Sequence, residues 1–230
     1  GSRQTYGSPR ITQALQAAGE ICGHNRVARL MKVHGIRAKM SKVFKMTTRP
    51  DPSAGVAPNL LAQDFHTTFP NQTWVSDITY IWTDEGWLYL CIVMDLFARK
   101  IIGWSMRSTL GQELVLQAFD MACHRTHPEQ GVLFHSDRGS QYASHAFRRV
   151  LRGKGFIQSM SGQGNCYDNA VAESFFHSLK TEEVYFHQYA TRAQARASLF
   201  DYIEIFYNRI RRHSSRGYLS PEAVERRWAA

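Results

Sequence analysis

Between Val132 and Lys180 an apolar strand and an amphipathic helix each bring a carboxylate, and this pairing restricts the fold more than any other stretch. Val132-Leu133-Phe134 is a short apolar run of the kind that makes a buried strand. Asp137, in His135-Ser136-Asp137-Arg138-Gly139, therefore falls at a strand end. Further on, Val171, Phe175 and Leu179 recur every four positions, which is one face of a helix packed on a core. Asn169, Glu173, His177 and Lys180 make the opposite stripe, while Gly162, Gly164, Asn165 and Asp168 ahead of it supply a loop and a helix cap. For a single Glu, a solvated helix face is the ordinary reading. A third carboxylate weighs against it: Asp77 stands in the middle of the β-rich run Trp74-Val75-Ser76-Asp77-Ile78-Thr79-Tyr80-Ile81. A carboxylate at a strand end and another on a helix facing the sheet can converge on one divalent cation, which takes oxygen ligands.

The spacing makes the pattern recognisable. Asp137 and Glu173 are separated by 35 residues, and Lys180 follows Glu173 by seven. This resembles the D,D(35)E signature of retroviral integrases and related bacterial transposases. The surrounding words Trp-Val-Ser-Asp-Ile-Thr-Tyr-Ile, His-Ser-Asp-Arg-Gly-Ser-Gln-Tyr and Gly-Asn-Cys-Tyr-Asp-Asn-Ala-Val-Ala-Glu-Ser-Phe-Phe are similar to the second-frame part of insertion sequence 3 family transposases. The resemblance implies a DNA transposase in which Asp77, Asp137 and Glu173 are catalytic and hold two Mg²⁺ ions, with Mn²⁺ as a substitute. By analogy with two-metal nucleases, Asp77 would be shared by the two ions, with Asp137 and Glu173 each completing one. Water attacks in the first cleavage and a DNA 3′-hydroxyl in strand transfer, without a covalent enzyme intermediate. Lys180 approaches the DNA near the scissile bond. His135, Arg138, Gln141, Asn165, Asp168 and Asn169 are expected around the site, loop architecture and chemistry both remaining open for each, with Arg138 and Asn169 as expected DNA contacts. Asp95, the rival carboxylate, is a supporting residue near the site. A metal-dependent nuclease that hydrolyses without joining, and a catalytically silent DNA-binding protein, are the competing readings.

Charge location supports a polyanionic partner. The net charge is +9, and residues 1–50 hold ten basic side chains against Glu20 alone, while the remaining 180 residues balance 18 against 18. Pro9 to Gly19 and His24 to Gly35 read as two short helices with Asn25 as a cap and Val27, Leu30 and Met31 as one stripe, a helix-turn-helix-like arrangement. Arg26, Arg29 and Lys32 are the expected phosphate contacts there. The tail cluster Arg211, Arg212 and His213 is open to two accounts, DNA contact or capping of the last helix, with DNA slightly favoured.

The expected organisation is a basic helical subdomain over residues 1–46, a Pro-rich linker over 47–71, and a catalytic domain with a C-terminal helical extension over 72–230. Asn59-Leu60-Leu61 and Phe65 are candidates for pinning the linker to a neighbouring surface. The catalytic part reads as strands at about 74–82, 87–96 and 100–106, a helix at 111–126, the Asp137 strand, a helix at 143–153, a strand at 156–160, the Glu173 helix and a long helix at 191–208. Three antiparallel strands followed by alternating helices and strands is the order of an α/β, RNase H-like fold with a mixed five-stranded sheet. In it the first and fourth strands are neighbours, so Asp77 and Asp137 lie side by side.

The chain is 43% hydrophobic and 12% aromatic, enough for a core, and no apolar run approaches the roughly 18 residues of a membrane span. Cys22, Cys91, Cys123 and Cys166 form no C-x-x-C pair and do not combine with the ten His residues at zinc-finger spacing. A reducing, cytoplasmic setting on bacterial DNA follows, with no membrane partner. The DNA partners are the element's terminal repeats and its target, and bringing two ends together calls for at least a dimer on DNA. Gly1-Ser2 reads as a cleavage scar, with end-binding and multimerising elements upstream.

Overall fold

A computed structural model describes residues 2–39, 57–162 and 166–230. Lys42, Lys45, Arg49, Gly164, Asn165 and the linker residues 47–56 lie outside the described residues. In chain order the elements are α1 (Ser8–Ala17), α2 (His24–Val33), β1 (Thr73–Ile81), β2 (Leu88–Asp95), β3 (Lys100–Arg107), α3 (Gln112–Thr126), β4 (Leu133–Ser136), α4 (Ser140–Ala143), α5 (His145–Gly153), β5 (Ile157–Met160), α6 (Ala170–Glu182), α7 (Arg192–Phe200), which continues as a π-helix over Asp201–Ile210, and α8 (Pro221–Ala229).

The five strands form one sheet in the order β3-β2-β1-β4-β5. β1, β2 and β3 are an antiparallel meander, while β1 with β4 and β4 with β5 are parallel. Both faces are covered, so the central strands are apolar on both sides. Trp74, Val93, Phe119, Phe134 and Phe147 fill the layer under α3, α4 and α5. Val75, Leu90, Ile92, Phe175, Leu179, Tyr202 and Phe206 fill the layer under α6 and α7. Gly103 is what lets α3 come so close: a Cβ there would meet the Ala118 carbonyl oxygen at 2.2 Å.

Several expected boundaries move for local reasons. Asn25 lies in the first turn of α2, whose N-cap is Gly23 without a side-chain bond. Of the expected stripe on α2, Val27 is buried but Leu30 is exposed. The helix expected from 143 is preceded by the short α4 and starts afresh at Ser144, whose hydroxyl accepts from the Phe147 N–H. The long last helix changes pitch after Phe200, and its final bond, from the Arg211 N–H to the Phe206 carbonyl at 2.7 Å, spans five residues. That wider turn brings Tyr202, Ile203, Phe206 and Tyr207 onto the core and lets the Asn208 amide bond the Ile101 N–H and C=O at 3.0 and 2.9 Å.

The N-terminal segment is docked on the sheet domain. Tyr6 is buried in the α6/α7 layer, and its hydroxyl accepts from the Arg212 N–H at 2.8 Å and donates to the Ile210 carbonyl at 3.3 Å. Arg3 pairs with Glu183 and Asp201. Residues 57–71 are also fastened: Leu61 is buried, Phe65 packs on the same core, and the Leu60 and Leu61 N–H groups donate to Ser159 Oγ at 2.9 and 3.2 Å. No helix among the described residues is long and apolar enough to cross a membrane.

Candidate active site

β1 and β4 are parallel neighbours with Ser76 opposite Ser136. The next residue on each is an aspartate, so register alone sets Asp77 beside Asp137 at the carboxyl end of β4. Asp77 Oδ1 accepts from the Ile78 N–H at 2.8 Å, and Asp137 Oδ1 accepts from the Gly139 N–H at 2.9 Å as the chain leaves the sheet. A Cβ at Gly139 would stand 3.0 Å from that same Asp137 oxygen, so glycine allows the turn to close on the carboxylate. The β1/β4 pairing runs from Thr73 to Ser76 and stops just before Asp77, and α6 packs against β1. Glu173, in the first turn of α6, is exposed, while Lys180 near its other end is 8% exposed with Nζ 5.4 Å from the centre of the Tyr80 ring.

Asp77 feels the charges of the other three groups. Burial, then the charges of Asp137 and Glu173, hold the Asp77 carboxyl well above the usual carboxylate range, against the pull of the Ile78 N–H and the Lys180 ammonium. Burial raises Asp137, opposed by the Gly139 N–H, and burial raises Glu173. Lys180 is lowered by burial, with Asp77 acting in the opposite direction. Like charges held near each other in this way are relieved by a cation. Among the described residues no three acidic, histidine or cysteine side chains already converge at metal-ligand spacing. The donor chemistry nevertheless fits a hard divalent ion: three carboxylates, and at their base Asn169, whose Oδ1 is buried without a hydrogen-bond partner.

The remaining expected site residues divide by what they touch. Asn169 is 5% exposed, with its amide 3.5 Å from the carbonyl of Ser76, the residue before Asp77, so it is covered by the fold beside β1. Arg138 Nε donates to the Ser161 carbonyl at 2.7 Å and so braces the turn after β4. His135 is buried between Ser159 and Ser161 at 2.8 and 3.2 Å, and burial pushes it down to about 4, so it is a neutral brace between β4 and β5. Asp168 does not cap α6. It accepts from Asn59, Gln63 and the Gly162 N–H at 2.9, 3.1 and 2.7 Å, locking residues 59–63 to the loop before α6.

Asp95 is placed away from the site. It pairs with Trp74, three residues before Asp77, which is about 10 Å along the strand. It is buried, accepts from the Asn71 and Phe97 N–H groups at 3.1 Å each, and burial raises it to about 6. The tail cluster is likewise built into the fold. Arg211 makes two 2.7 Å bonds to Glu182 and one of 3.0 Å to Ser178, Arg212 donates to the Tyr218 carbonyl, and His213 is buried. Only Arg26, Arg29 and Lys32 of the expected DNA contacts stay fully solvent-facing, all on α2. Sequence reasoning missed the group under β1, where Ser76 Oγ meets Tyr142 Oη at 2.8 Å; Tyr142, five residues after Asp137 in the same motif, was its only signal.

Comparison with known proteins places this architecture. Two integrase core domain models match residues 67–166 and 173–226, and an HTH-like domain model matches residues 1–44. The transposase InsF of insertion sequence IS3A from Escherichia coli K12 is 46% identical over 224 residues, covering 97% of this chain and 78% of that protein. An uncharacterized 31 kDa protein of insertion element IS600 from Shigella sonnei is 43% identical over 227 residues, covering 99% and 84%. Among solved structures, the simian T-cell lymphotropic virus intasome in complex with the PP2A regulatory subunit B56 gamma aligns over 93% of this chain and 69% of the matched chain, at a TM-score of 0.57 and 15% identity. The HTLV-2 integrase catalytic core domain in complex with magnesium aligns over 70% and 99%, at 0.54 and 13%. The two structures share the fold, the two proteins share the sequence, and the chain belongs to the insertion sequence 3 family of transposases, with an integrase-type catalytic core.

Proposed function

We propose that this transposase cuts and joins DNA strands at the ends of its insertion sequence at one site formed by Asp77, Asp137 and Glu173, with two divalent cations, Mg²⁺ or Mn²⁺. The observation that carries the reading is the β1/β4 register, which sets Asp77 beside Asp137, with the Glu173 helix α6 packed against β1. Bound cations supply activation of the attacking oxygen and neutralise charge on the leaving 3′ oxygen.

The chain's own residues hold and orient. Asp77 and Asp137 sit on adjoining strands of a sheet buried on both faces, so their separation is fixed by backbone register. Glu173 approaches from a helix whose opposite face, Val171, Phe175 and Leu179, is buried. Lys180 places a positive charge beside Asp77, where a phosphate oxygen of the scissile strand needs one. Arg26, Arg29 and Lys32 neutralise phosphates of the flanking duplex, a contribution that weakens as salt rises. We divide the chain accordingly into a basic helical subdomain over 1–46, a connector over 47–71 and the catalytic domain over 72–230. Since two element ends are joined to one target, the working form is at least a dimer on DNA, acting in the bacterial cytoplasm where that DNA lies.

Product analysis tests the reading. Incubated with an end duplex and Mg²⁺, the protein is expected to give both cleaved ends and joined strands, and Asp77→Asn, Asp137→Asn and Glu173→Gln each to abolish both with DNA binding retained. Cleaved ends without joined strands would assign a nuclease instead. Full turnover in a folded variant would remove that residue from the site.

A further inference from the structure

Past Asp77, β1 leads to an aromatic cluster that the carboxylate site does not use. Trp82 follows the end of β1 and Trp87 precedes the start of β2. The Trp87 ring packs edge-on against Tyr80 and against Trp82, with centroids 5.1 and 4.8 Å apart and planes at 83° and 78°. Trp82 is 57% exposed and Trp87 42%. Such packing fixes ring orientation while leaving large flat apolar surface in water.

The hairpin that carries these rings is held firmly. Thr83 Oγ1 donates to the Gly86 carbonyl at 2.6 Å, and the Gly86 N–H returns to the Thr83 carbonyl at 2.8 Å. Arg192 clamps the turn from α7, donating to the carbonyls of Trp87 at 3.1 Å and Glu85 at 2.5 Å, while its own N–H takes the Glu85 carboxylate at 2.8 Å. One of the two acidic residues at the tip, Glu85, is thereby turned back onto the protein.

The cluster is continuous with the carboxylate site. Lys180 lies over the Tyr80 ring and also faces Asp77. At about 3.3 Å per residue, Tyr80 is about 10 Å and Trp82 about 16 Å along the chain from Asp77, both on the strand face opposite to it, so Lys180, which reaches Tyr80 and Asp77 alike, marks the edge where the two faces meet. Those lengths correspond to roughly three and five stacked nucleotides at 3.4 Å each. An exposed indole pair at the end of a path that begins with an ammonium and a phosphoryl-transfer site has the two elements of a single-strand platform, a cation for the backbone and π-faces for the bases.

We propose that Trp82 and Trp87, backed by Tyr80, form a stacking platform for unpaired bases of the DNA strand that runs from the carboxylate site past Lys180. The platform takes a frayed or single-stranded segment, since bases inside a duplex hide their faces from a side chain. This assignment rests on the strand-transfer reading for its direction along the DNA, but the stacking itself needs no chemistry.

The test separates the two. In an Asp77→Asn background without added metal, the full chain is titrated with a blunt end duplex and with the same duplex carrying a five-nucleotide unpaired tail labelled with 2-aminopurine. Tail binding is expected to quench the probe, and Trp82→Ala to weaken the tailed duplex by about 5- to 150-fold while the blunt duplex changes little. Trp82→Phe is expected to keep most of the quenching, and Trp228→Ala, at an exposed tryptophan packed on Phe97, to change neither. Unchanged tail affinity and quenching in folded Trp82→Ala would overturn the platform. A Trp82→Ala change confined to sedimentation would also overturn it, assigning the patch to a second copy of the chain. Tail stacking lost in Trp82→Ala in a protein that never joins strands would leave the platform standing and remove the strand-transfer reading instead.

Discussion

Asp77 and Asp137 are neighbours across two parallel strands, each one residue past the paired Ser76 and Ser136. Folding therefore forces two carboxylates together, and the charge of a third, Glu173, further disfavours ionisation of Asp77. A carboxyl raised in the folded state binds its proton more tightly than in the unfolded chain, so it costs stability progressively as the pH rises above the ordinary carboxylate range and in full once the pH passes its folded value. Asp77→Asn is expected to raise the melting temperature of the metal-free protein at pH 7 by a few degrees, at about 2–4 °C per kcal/mol for a chain of this size. Mg²⁺ is expected to raise the melting temperature of the wild type and leave the variant where it was. Thermal scans with and without the ion check both.

Lys180 is buried at the cost of desolvating its ammonium. Lys180→Met keeps the stem and removes the charge. It is expected to leave thermal stability unchanged or slightly higher while lowering strand joining by roughly 10- to 150-fold, the worth of a hydrogen bond to a charged group. Joining yield against melting temperature separates the two effects, and unchanged joining would return Lys180 to a packing role.

Much of this was legible in the residues, for physical reasons. A strand signal ahead of Asp137 and a four-residue apolar period through Val171, Phe175 and Leu179 are local properties, and a meander followed by a crossover leaves few places for β4 except beside β1. The polar stripe on α6 was harder. Period shows that Asn169, Glu173, His177 and Lys180 share a face, but not that two of them, Asn169 and Lys180, are covered while Glu173 and His177 stay in solvent. The tail failed for the same reason: Arg211 reads identically whether it meets a phosphate or Glu182, which lies 29 residues away. Nor has the π-helix a residue signature, because its pitch is set by the demands of Tyr202, Phe206 and Asn208 on a sheet far off in sequence. Tyr6, a lone aromatic in a basic arm, gives no sign that it belongs to the catalytic core.

The Arg211–Glu182 pair joins the end of α6 to the segment after the π-helix, with side chains only 6% and 9% exposed. Glu182 also accepts from the Tyr202 hydroxyl at 2.8 Å. Glu182→Ala leaves a buried guanidinium without its counter-charge and is expected to cost about 3–5 kcal/mol. A urea titration measures this, and a loss under about 1 kcal/mol, the range of exposed pairs, would contradict the buried geometry.

His213 is pushed down to about 2 by burial and by the Arg211, Arg10, Arg99 and Arg216 charges around it. The unfolded chain takes up its proton near pH 6.5, while the folded chain refuses it, so stability is intact above that pH and falls as the pH drops below it. Two units of pH, from 6.5 to 4.5, correspond to about 3 kcal/mol from this residue. His213→Gln, which does not titrate, is expected to flatten the decline by that amount. Unfolding free energies at pH 7 and 4.5 for the two proteins provide the comparison, and parallel declines would show that His213 takes up its proton in the folded state.

The central claim is that one metal-dependent site containing Glu173 joins DNA strands. A branched oligonucleotide resembling a half-finished insertion, supplied with Mg²⁺ or Mn²⁺, tests it most directly because it asks little of end recognition. The wild type is expected to reseal the branch only when the ion is present, and Glu173→Gln, folded to the same melting temperature, to reseal none of it. Resealing by Glu173→Gln at the wild-type rate would contradict the account.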